Sequence, residues 1–265
     1  FIVDVLREIE KVRKSGLTFA PEAGSQRMRD VINKNVTEED LMRVVRSVFD
    51  EGWSRIKLYF MIGLPGETME DVLGIADLAY KVKGAFFNRP KEDIKGNFRV
   101  TASASCFVPK AFTPFQWVGQ DSLDEFFEKI RGIKEVIRDP KVKFQYHEPY
   151  VSRLEAILAR GDRRVGKLIL KAYEKGQIFD GWSEFFHYDR WVEAMEEAGI
   201  DGDFYANRER SRDEVLPWDF IDIGVKKDYL WEEFEKSRVG ETTKDCRKGC
   251  NRCGIENCEM WGTFN

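Results

Sequence analysis

The chain has 265 residues, of which 42% are hydrophobic and 13% aromatic. This composition supports a sizeable folded core and argues against a disordered chain. The formal net charge of −4 and the pI near 5.6 argue against a generally basic protein that coats nucleic acid, while leaving room for a local basic patch. No apolar run approaches the roughly 20 residues that span a bilayer, and no signal-peptide pattern is present. We therefore expect no membrane partner and a cytoplasmic location.

The first two-thirds of the sequence alternate helical and strand patterns. Val3 to Lys14 carries an amphipathic helical stripe, and Leu17 to Ala20 is a short apolar strand. Thr37 is placed to cap a helix whose first turn holds three acidic residues, where the helix dipole favours negative charge. Ile56 to Ile62 is almost continuously apolar, which predicts a parallel strand that is buried on both faces.

The same alternation continues through the middle of the chain. Helices are predicted from Thr68 to Lys83 and from Leu123 to Ile137, and strands from Phe98 to Phe107 and from Val142 to Tyr146. Four strands separated by helices predict parallel pairing through right-handed crossovers. The fold class is therefore α/β, as a parallel sheet or a partial barrel over residues 1–147.

After residue 147 the pattern becomes helical. Helices are predicted over 151–159, 165–175, 191–198 and 226–236, with a mixed, turn-rich segment over 201–225. We expect residues 148–240 to form a mostly helical extension. Residues 241–265 are expected to form a separate four-cysteine metal-binding tail.

Unusual loops directly follow the first three predicted strands. Ligands of parallel α/β folds lie beyond the carboxyl ends of the strands, so these loops are candidate ligand contacts. Glu22 could accept hydrogen bonds from both hydroxyls of a ribose, and Ser25 can cap the helix that follows. Gly63 and Gly66 leave room for a flat ligand near the backbone. Taken alone, each loop is better explained as an ordinary strand-to-helix turn with a solvated carboxylate or a threonine cap.

Together these loops resemble the second half of a radical S-adenosylmethionine (SAM) barrel. The closest subgroup is the one that often carries an N-terminal cobalamin-binding domain. The resemblance is carried by residues 22–26 (EAGSQ), 60–68 (FMIGLPGET), 107–110 (FVPK), 113–117 (TPFQW), 159–164 (ARGDRR), 216–219 (LPWD) and the terminal cysteines. It therefore extends over nearly the whole chain.

The resemblance implies specific roles for residues in these loops. Glu22 would hold the ribose of SAM, and Ser25 and Arg27 are further candidates for its ribose or carboxylate end. The implied adenine contacts are the backbone of Ile62, Gly63 and Leu64, together with Phe107 and Val108. The implied chemistry is cleavage of SAM at a reduced 4Fe-4S cluster to give a radical that abstracts hydrogen, with cobalamin delivering a methyl group where it is present.

The sequence departs from the family pattern in one respect. Members carry their cluster-binding C-x3-C-x2-C motif upstream of the acidic loop, and no cysteine precedes Glu22 here. The first residue is Phe1 rather than Met. We therefore expect the first half of the barrel, the main 4Fe-4S cluster and any cobalamin-binding domain to precede Phe1. On this interpretation residues 1–265 alone would be inactive.

Four of the five cysteines lie within thirteen residues: Cys246, Cys250, Cys253 and Cys258. This clustering predicts metal ligation in a reducing compartment rather than a disulfide framework. Four thiolates can hold either a tetrahedral zinc ion or a 4Fe-4S cluster, and the irregular spacing slightly favours iron-sulfur. The position after the helical extension indicates a second metal site, separate from the main cluster.

Two further residues are weaker catalytic candidates. Cys106, at the end of a predicted strand, is most simply a small core thiol, but it could accept or shield a radical if it faced the ligand cavity. His147 also ends a strand and could act as an acid or a base.

The sequence as a whole predicts part of a radical SAM iron-sulfur enzyme that methylates or otherwise modifies an unidentified substrate. RNA, a protein and a small molecule all stay open as that substrate. The alternative is a non-catalytic RNA- or protein-binding module with a structural zinc knuckle.

Overall fold

The computed structural model describes residues 16–256 and 258, and within them the fold is α/β. Four parallel strands form one sheet in the spatial order β1-β2-β3-β4. They are β1 (Leu17–Glu22), β2 (Arg55–Ile62), β3 (Arg99–Cys106) and β4 (Val142–Tyr146). The four predicted strands are confirmed, while the helix predicted from Val3 to Lys14 lies outside the described residues.

Nine α-helices lie within the described part of the chain. They are α1 (Gln26–Val31), α2 (Glu38–Asp50), α3 (Met69–Phe87), α4 (Leu123–Val136), α5 (Pro149–Ala159), α6 (Val165–Glu174), α7 (Tyr188–Ala198), α8 (Gly202–Ala206) and α9 (Lys227–Arg238). Short 3-10 turns occur at Lys91–Asp93 and Cys246–Lys248. No described helix combines the length and the apolar character that crossing a membrane requires.

Side-chain caps begin the helices that follow β1 and β2. Ser25 accepts a hydrogen bond from the Met28 amide at the start of α1, as predicted. Thr37 and Thr68 each form a capping box, with Asp40 at the start of α2 and with Asp71 at the start of α3. These local signals explain why the helix starts could be located from the sequence.

The prediction that β2 is buried on both faces is wrong. Ile56, Leu58, Phe60 and Ile62 are buried, but the residues between them are more exposed, and Tyr59 is 38% exposed. The buried face packs against apolar side chains of α2, α3 and α4 in one core cluster. In the described residues this helical layer covers only one face of the strand, so its burial follows the alternation of the pleat.

The chain forms two compact units that do not follow the chain order. Of the described residues, the first unit comprises 16–106, 126–147 and 236–244, and the second comprises 107–125, 148–235, 245–256 and 258. The division into three consecutive segments stays a prediction. The sheet, its helical layer and the loops after β1 and β2 all belong to the first unit.

Two buried arginines tie together the second unit. The Arg160 guanidinium donates to the carbonyls of Ala206 and Arg208, and Arg210 donates to the Arg160 carbonyl at 2.6 Å. Burial and the neighbouring charges of Arg210 and Arg208 together lower the pKa of Arg160 to about 10. Arg210 also lies over the Trp218 ring, 5.0 Å from its centroid. These contacts fix the end of α5 to the chain that follows α8.

Candidate functional site

The loops after β1 and β2 lie at the same edge of the sheet. β1 and β2 are adjacent and parallel, and Glu22 at the end of β1 is in register with Phe60, two residues before the end of β2. The predicted ribose-binding residue and the glycine-proline loop at 63–67 therefore leave neighbouring strands side by side. This shared edge is the candidate functional site.

Glu22 has an unusual backbone conformation. Its φ is 69°, in the left-handed region that residues other than glycine rarely adopt, and a register shift separates it from Phe19. A conformation of this kind costs on the order of 1–3 kcal/mol and is concentrated at functional sites. The Glu22 carboxylate is about a quarter exposed and pairs with Lys34 at 3.1 Å. The side chain is thus held at the edge of the sheet with a single cation beside it among the described residues.

Gly24 brings the first loop against helix α3. A Cβ atom at Gly24 would lie 2.3 Å from the Asp71 carbonyl oxygen and 2.5 Å from the Ile75 amide nitrogen. Only a residue without a side chain fits this contact. The requirement is steric, since the structure shows no positive φ at this position.

Asp71 connects the two loops. Ser25 Oγ donates to its carboxylate at 2.6 Å, Thr68 Oγ1 donates at 2.7 Å, and Arg27 forms an ion pair with it. Burial by itself raises the pKa of Asp71, but the hydrogen bonds from Arg27, Ser25 and Thr68 outweigh it and hold the pKa well below its usual range. Arg27 also donates to the Gly66 carbonyl at 2.8 Å, which joins the first loop directly to the second.

A buried ion pair between Glu67 and Lys129 stabilises the second loop. The Gly63 amide donates to the Glu67 carboxylate at 2.7 Å, and Lys129 of α4 pairs with the same carboxylate at 3.0 Å. The Glu67 side chain is 2% exposed. Gly63 has a φ of 83°, in the left-handed region that favours glycine.

Ser25 and Arg27 thus both have structural partners. Their polar groups contact Asp71 and the Gly66 carbonyl, and these contacts shape the loops. Sequence reasoning did not identify Asp71, although its place three residues after Thr68 is the sequence signature of a capping box. It also missed Lys34 and Lys129, for which no local pattern was available.

The proposed adenine contacts are largely buried. Ile62 and Leu64 are at most 2% exposed, backbone included, so their role as adenine contacts stays a prediction. Phe107 and Val108 belong to the second unit, and each is 8% exposed. Phe107 packs edge-on against Phe115, and Val108 lies in the core cluster of that unit.

The two catalytic candidates lie in different surroundings. Cys106 is 6% exposed and belongs to the core cluster of the first unit, on the helix-covered side of β3 together with Val100 and Ala104. This is the position of a packing residue. His147 directly follows β4 and is exposed, and its amide donates to the Ala104 carbonyl at 2.9 Å.

The terminal cysteines lie near Tyr229. Burial, together with the nearby Glu233 and the thiols of Cys246, Cys253 and Cys250, raises the pKa of Tyr229 to about 12. The Arg252 amide donates to the Cys250 sulfur at 3.3 Å, a contact typical of thiolate knuckles. Among the residues that the structure describes, no three or more Cys, His, Asp or Glu side chains are arranged so that they could hold a metal ion.

Comparison with known proteins supports one part of this interpretation. Residues 2–79 match the family model of the Radical SAM superfamily. The chain is 28% identical over 184 residues to an uncharacterized protein of Methanocaldococcus jannaschii, and the match covers 69% of this chain and 38% of that protein. The chain thus spans little more than a third of the length of this relative. No solved structure matches.

The matched segment includes β1, the Glu22 loop, β2, the glycine-proline loop and the first part of α3. This segment of the chain is therefore similar to the Radical SAM superfamily.

Proposed function

We propose that this chain is the second half of a radical SAM barrel, and that the loops after β1 and β2 bind the nucleoside of SAM between them. The observation that carries the proposal is Glu22. It combines a strained backbone and a partly exposed carboxylate with a position directly beside the Gly63 loop. Strain of this kind persists where function requires a side chain at one place.

The residues of this edge suit a ribose and an adenine. Glu22 would accept hydrogen bonds from the two ribose hydroxyls, with Lys34 orienting its carboxylate. The backbone at Gly63, which has no side chain, would lie along the adenine, and Glu67 and Lys129 would keep this backbone in place. SAM bound beside a reduced iron-sulfur cluster supplies hydrogen-abstraction chemistry.

Calorimetric titration with SAM of the longer protein, with its iron-sulfur cluster reconstituted anaerobically, tests the proposal. Glu22→Ala should weaken binding by about tenfold or more, since it removes charge-assisted hydrogen bonds to the ribose. The matched control is Glu39→Ala, which removes an exposed carboxylate in the first turn of α2 and should leave the affinity unchanged. Equal affinities of wild type and Glu22→Ala, or no binding by wild type, would refute the proposal.

We further propose that the four terminal cysteines bind a second metal centre, either a 4Fe-4S cluster or zinc. The proposal rests on the spacing of the thiols and on the amide-to-sulfur hydrogen bond at Cys250. Thiols that are not yet arranged as a site are compatible with it, because metal binding and local folding are commonly coupled.

Metal analysis after anaerobic reconstitution tests this second site. Cys250→Ser should lower the bound metal, whereas Cys106→Ser, which removes the buried thiol of the first unit, should not. Iron with sulfide would identify a cluster, and zinc would favour the structural knuckle of the binding-module alternative. Metal content that is the same in both variants would contradict the site.

The activity of the longer protein is also a proposal. Cysteines outside residues 1–265 would hold the main 4Fe-4S cluster. Any cobalamin would also be bound outside these residues. His147, exposed at the end of β4, would be available as an acid or a base toward the substrate. The buried position of Cys106 makes it the weaker of the two catalytic candidates.

A further inference from the structure

The sheet has a polar face opposite the helices. On β2, β3 and β4 this face carries four cations, Arg55, Lys57, Arg99 and Lys143. None of these three strands contains an Asp or a Glu. Among the residues that the structure describes, none of the four cations has an ion pair with a carboxylate.

The register aligns these cations across the sheet. Arg55 lies directly opposite Arg99, and Thr101 lies between Lys57 on one side and Lys143 on the other. Like charges on directly opposed residues of neighbouring strands destabilise a sheet. Within residues 16–256 these four cations lack a carboxylate partner, so this face has the charge to attract an anion.

Lys57, Thr101 and Lys143 form one row across the three strands, and this row is spaced so that it could hold an anion. Neighbouring strands lie about 4.8 Å apart, so the Cα atoms of Lys57 and Lys143 are about 10 Å apart on the same face. Two long side chains at that spacing can converge on one group above the Thr101 hydroxyl. The Lys57 ammonium donates to the hydroxyl of Tyr59 at 3.0 Å. Tyr59 lies one row closer to the carboxyl ends of the strands.

We propose that Lys57 and Lys143 bind the phosphate monoester of a small phosphorylated substrate. Two ammonium groups match the charge of about −2 that such a phosphate carries near neutral pH, and the Thr101 and Tyr59 hydroxyls supply further donors. A carboxylate carries a single charge and would leave one lysine without a counter-charge.

The rows of residues nearer the carboxyl ends of the strands restrict the length and polarity of the rest of that substrate. Tyr59, Ser103 and Gln145 form the next row, in which the exposed Tyr59 and Gln145 offer neutral hydrogen bonds. Met61 and Ser105 form the row beyond it. Met61 lies four positions further along the strand than Lys57, which is a distance of about 13 Å. The substrate is therefore elongated, with its phosphate about 13 Å from the end that reaches the cofactor edge. Only the statement that the far end of the substrate reaches the cofactor rests on the proposed function.

Titration with phosphate compounds tests the lysine pair. Calorimetry with inorganic phosphate and glycerol phosphate, against chloride at the same ionic strength, should show binding by wild type. Lys57→Gln and Lys143→Gln should each weaken that binding by about tenfold, the effect of losing one charge-assisted hydrogen bond. Lys91→Gln, which removes an exposed lysine of a 3-10 turn, is the control and should bind as wild type does.

Two further titrations define the ligand. Acetate and a short RNA oligonucleotide without terminal phosphates carry only single negative charges per group, and both should bind more weakly than glycerol phosphate. RNA binding as tight as that of glycerol phosphate would overturn the small-molecule assignment. No phosphate binding by wild type, or the same affinity in Lys57→Gln and Lys91→Gln, would overturn the site itself.

The SAM-binding proposal and this inference fail separately. Glu22→Ala should keep its phosphate affinity, and Lys57→Gln should keep its SAM affinity. Loss of phosphate binding in Glu22→Ala would contradict the assignment to the lysine pair. Phosphate binding without SAM binding would uphold the lysine pair and remove the cofactor assignment.

Discussion

Gly24 and Gly74 face each other across the contact between the first loop and helix α3. A Cβ atom at Gly74 would lie 2.9 Å from the carbonyl carbon of Gly24, and one at Gly24 would lie 2.8 Å from the carbonyl carbon of Gly74. Glycine inside a helix costs about 0.5–1 kcal/mol relative to alanine. At Gly74 this cost is offset by the close approach that brings the Glu22 loop onto α3.

Gly74→Ala should therefore destabilise the protein, although alanine is the better helix former. Neither backbone in the contact can move aside easily, and we expect a loss of about 1–3 kcal/mol in the free energy of unfolding. Gly84→Ala in the same helix is the control, because only the end of the Asn88 side chain comes within 4 Å of the added atom. The control should gain up to about 1 kcal/mol. Urea unfolding of both variants measures the difference, and a stabilised Gly74→Ala would show that the contact is looser than described.

The Asp71 network predicts a dependence of stability on pH. Because folding lowers the pKa of Asp71 from its ordinary value of 3.8, its ionised form stabilises the folded state. The contribution is complete above that ordinary value and is lost as the pH falls through the folded pKa. Asp71→Asn should cost about 2–3 kcal/mol at pH 7, the range for hydrogen bonds to a charged group.

The difference between wild type and Asp71→Asn should then shrink as the pH falls below about 4. Asp77→Asn, which removes an exposed carboxylate in the same helix, should change the free energy of unfolding by less than about 0.5 kcal/mol at either pH. Urea unfolding at pH 7 and pH 3 gives these values. A cost of Asp71→Asn that does not change with pH would contradict the assigned ion pair.

Arg160 should be essential to the stability of the second unit. Arg160→Gln leaves the buried carbonyls of Ala206 and Arg208 without their donor and should cost about 1–3 kcal/mol. Arg163→Gln removes an exposed arginine three residues later and should stay within about 0.5 kcal/mol of wild type. Thermal unfolding of the two variants compares them. A stability of Arg160→Gln equal to that of Arg163→Gln would show that the buried hydrogen bonds contribute nothing net.

The sequence was most informative where structure is determined locally. Thr37 and Thr68 marked helix starts because a capping box is formed by residues three apart, and apolar runs marked the first two strands. The one-sided burial of β2 was not predictable from its apolar run. Tyr59 and Met61 are apolar enough to suggest a covered face, yet the helical layer contacts the other side.

The partners of the candidate site depend on contacts between distant parts of the chain. Lys129 reaches Glu67 from 62 residues away, and Arg27 reaches Asp71 from 44 residues away. No periodic pattern connects such pairs, so the sequence located Glu22 and the Gly63 loop but could not show what holds them. The rows of the polar face likewise required the strand register.

The most direct test of the account is to map where SAM contacts the chain by following backbone amide chemical shifts during a titration. The account predicts that the changes concentrate in residues 20–27 and 62–67, with little change in the cysteine tail. Shift changes confined to residues 246–258, or none in either loop at saturating SAM, would contradict it.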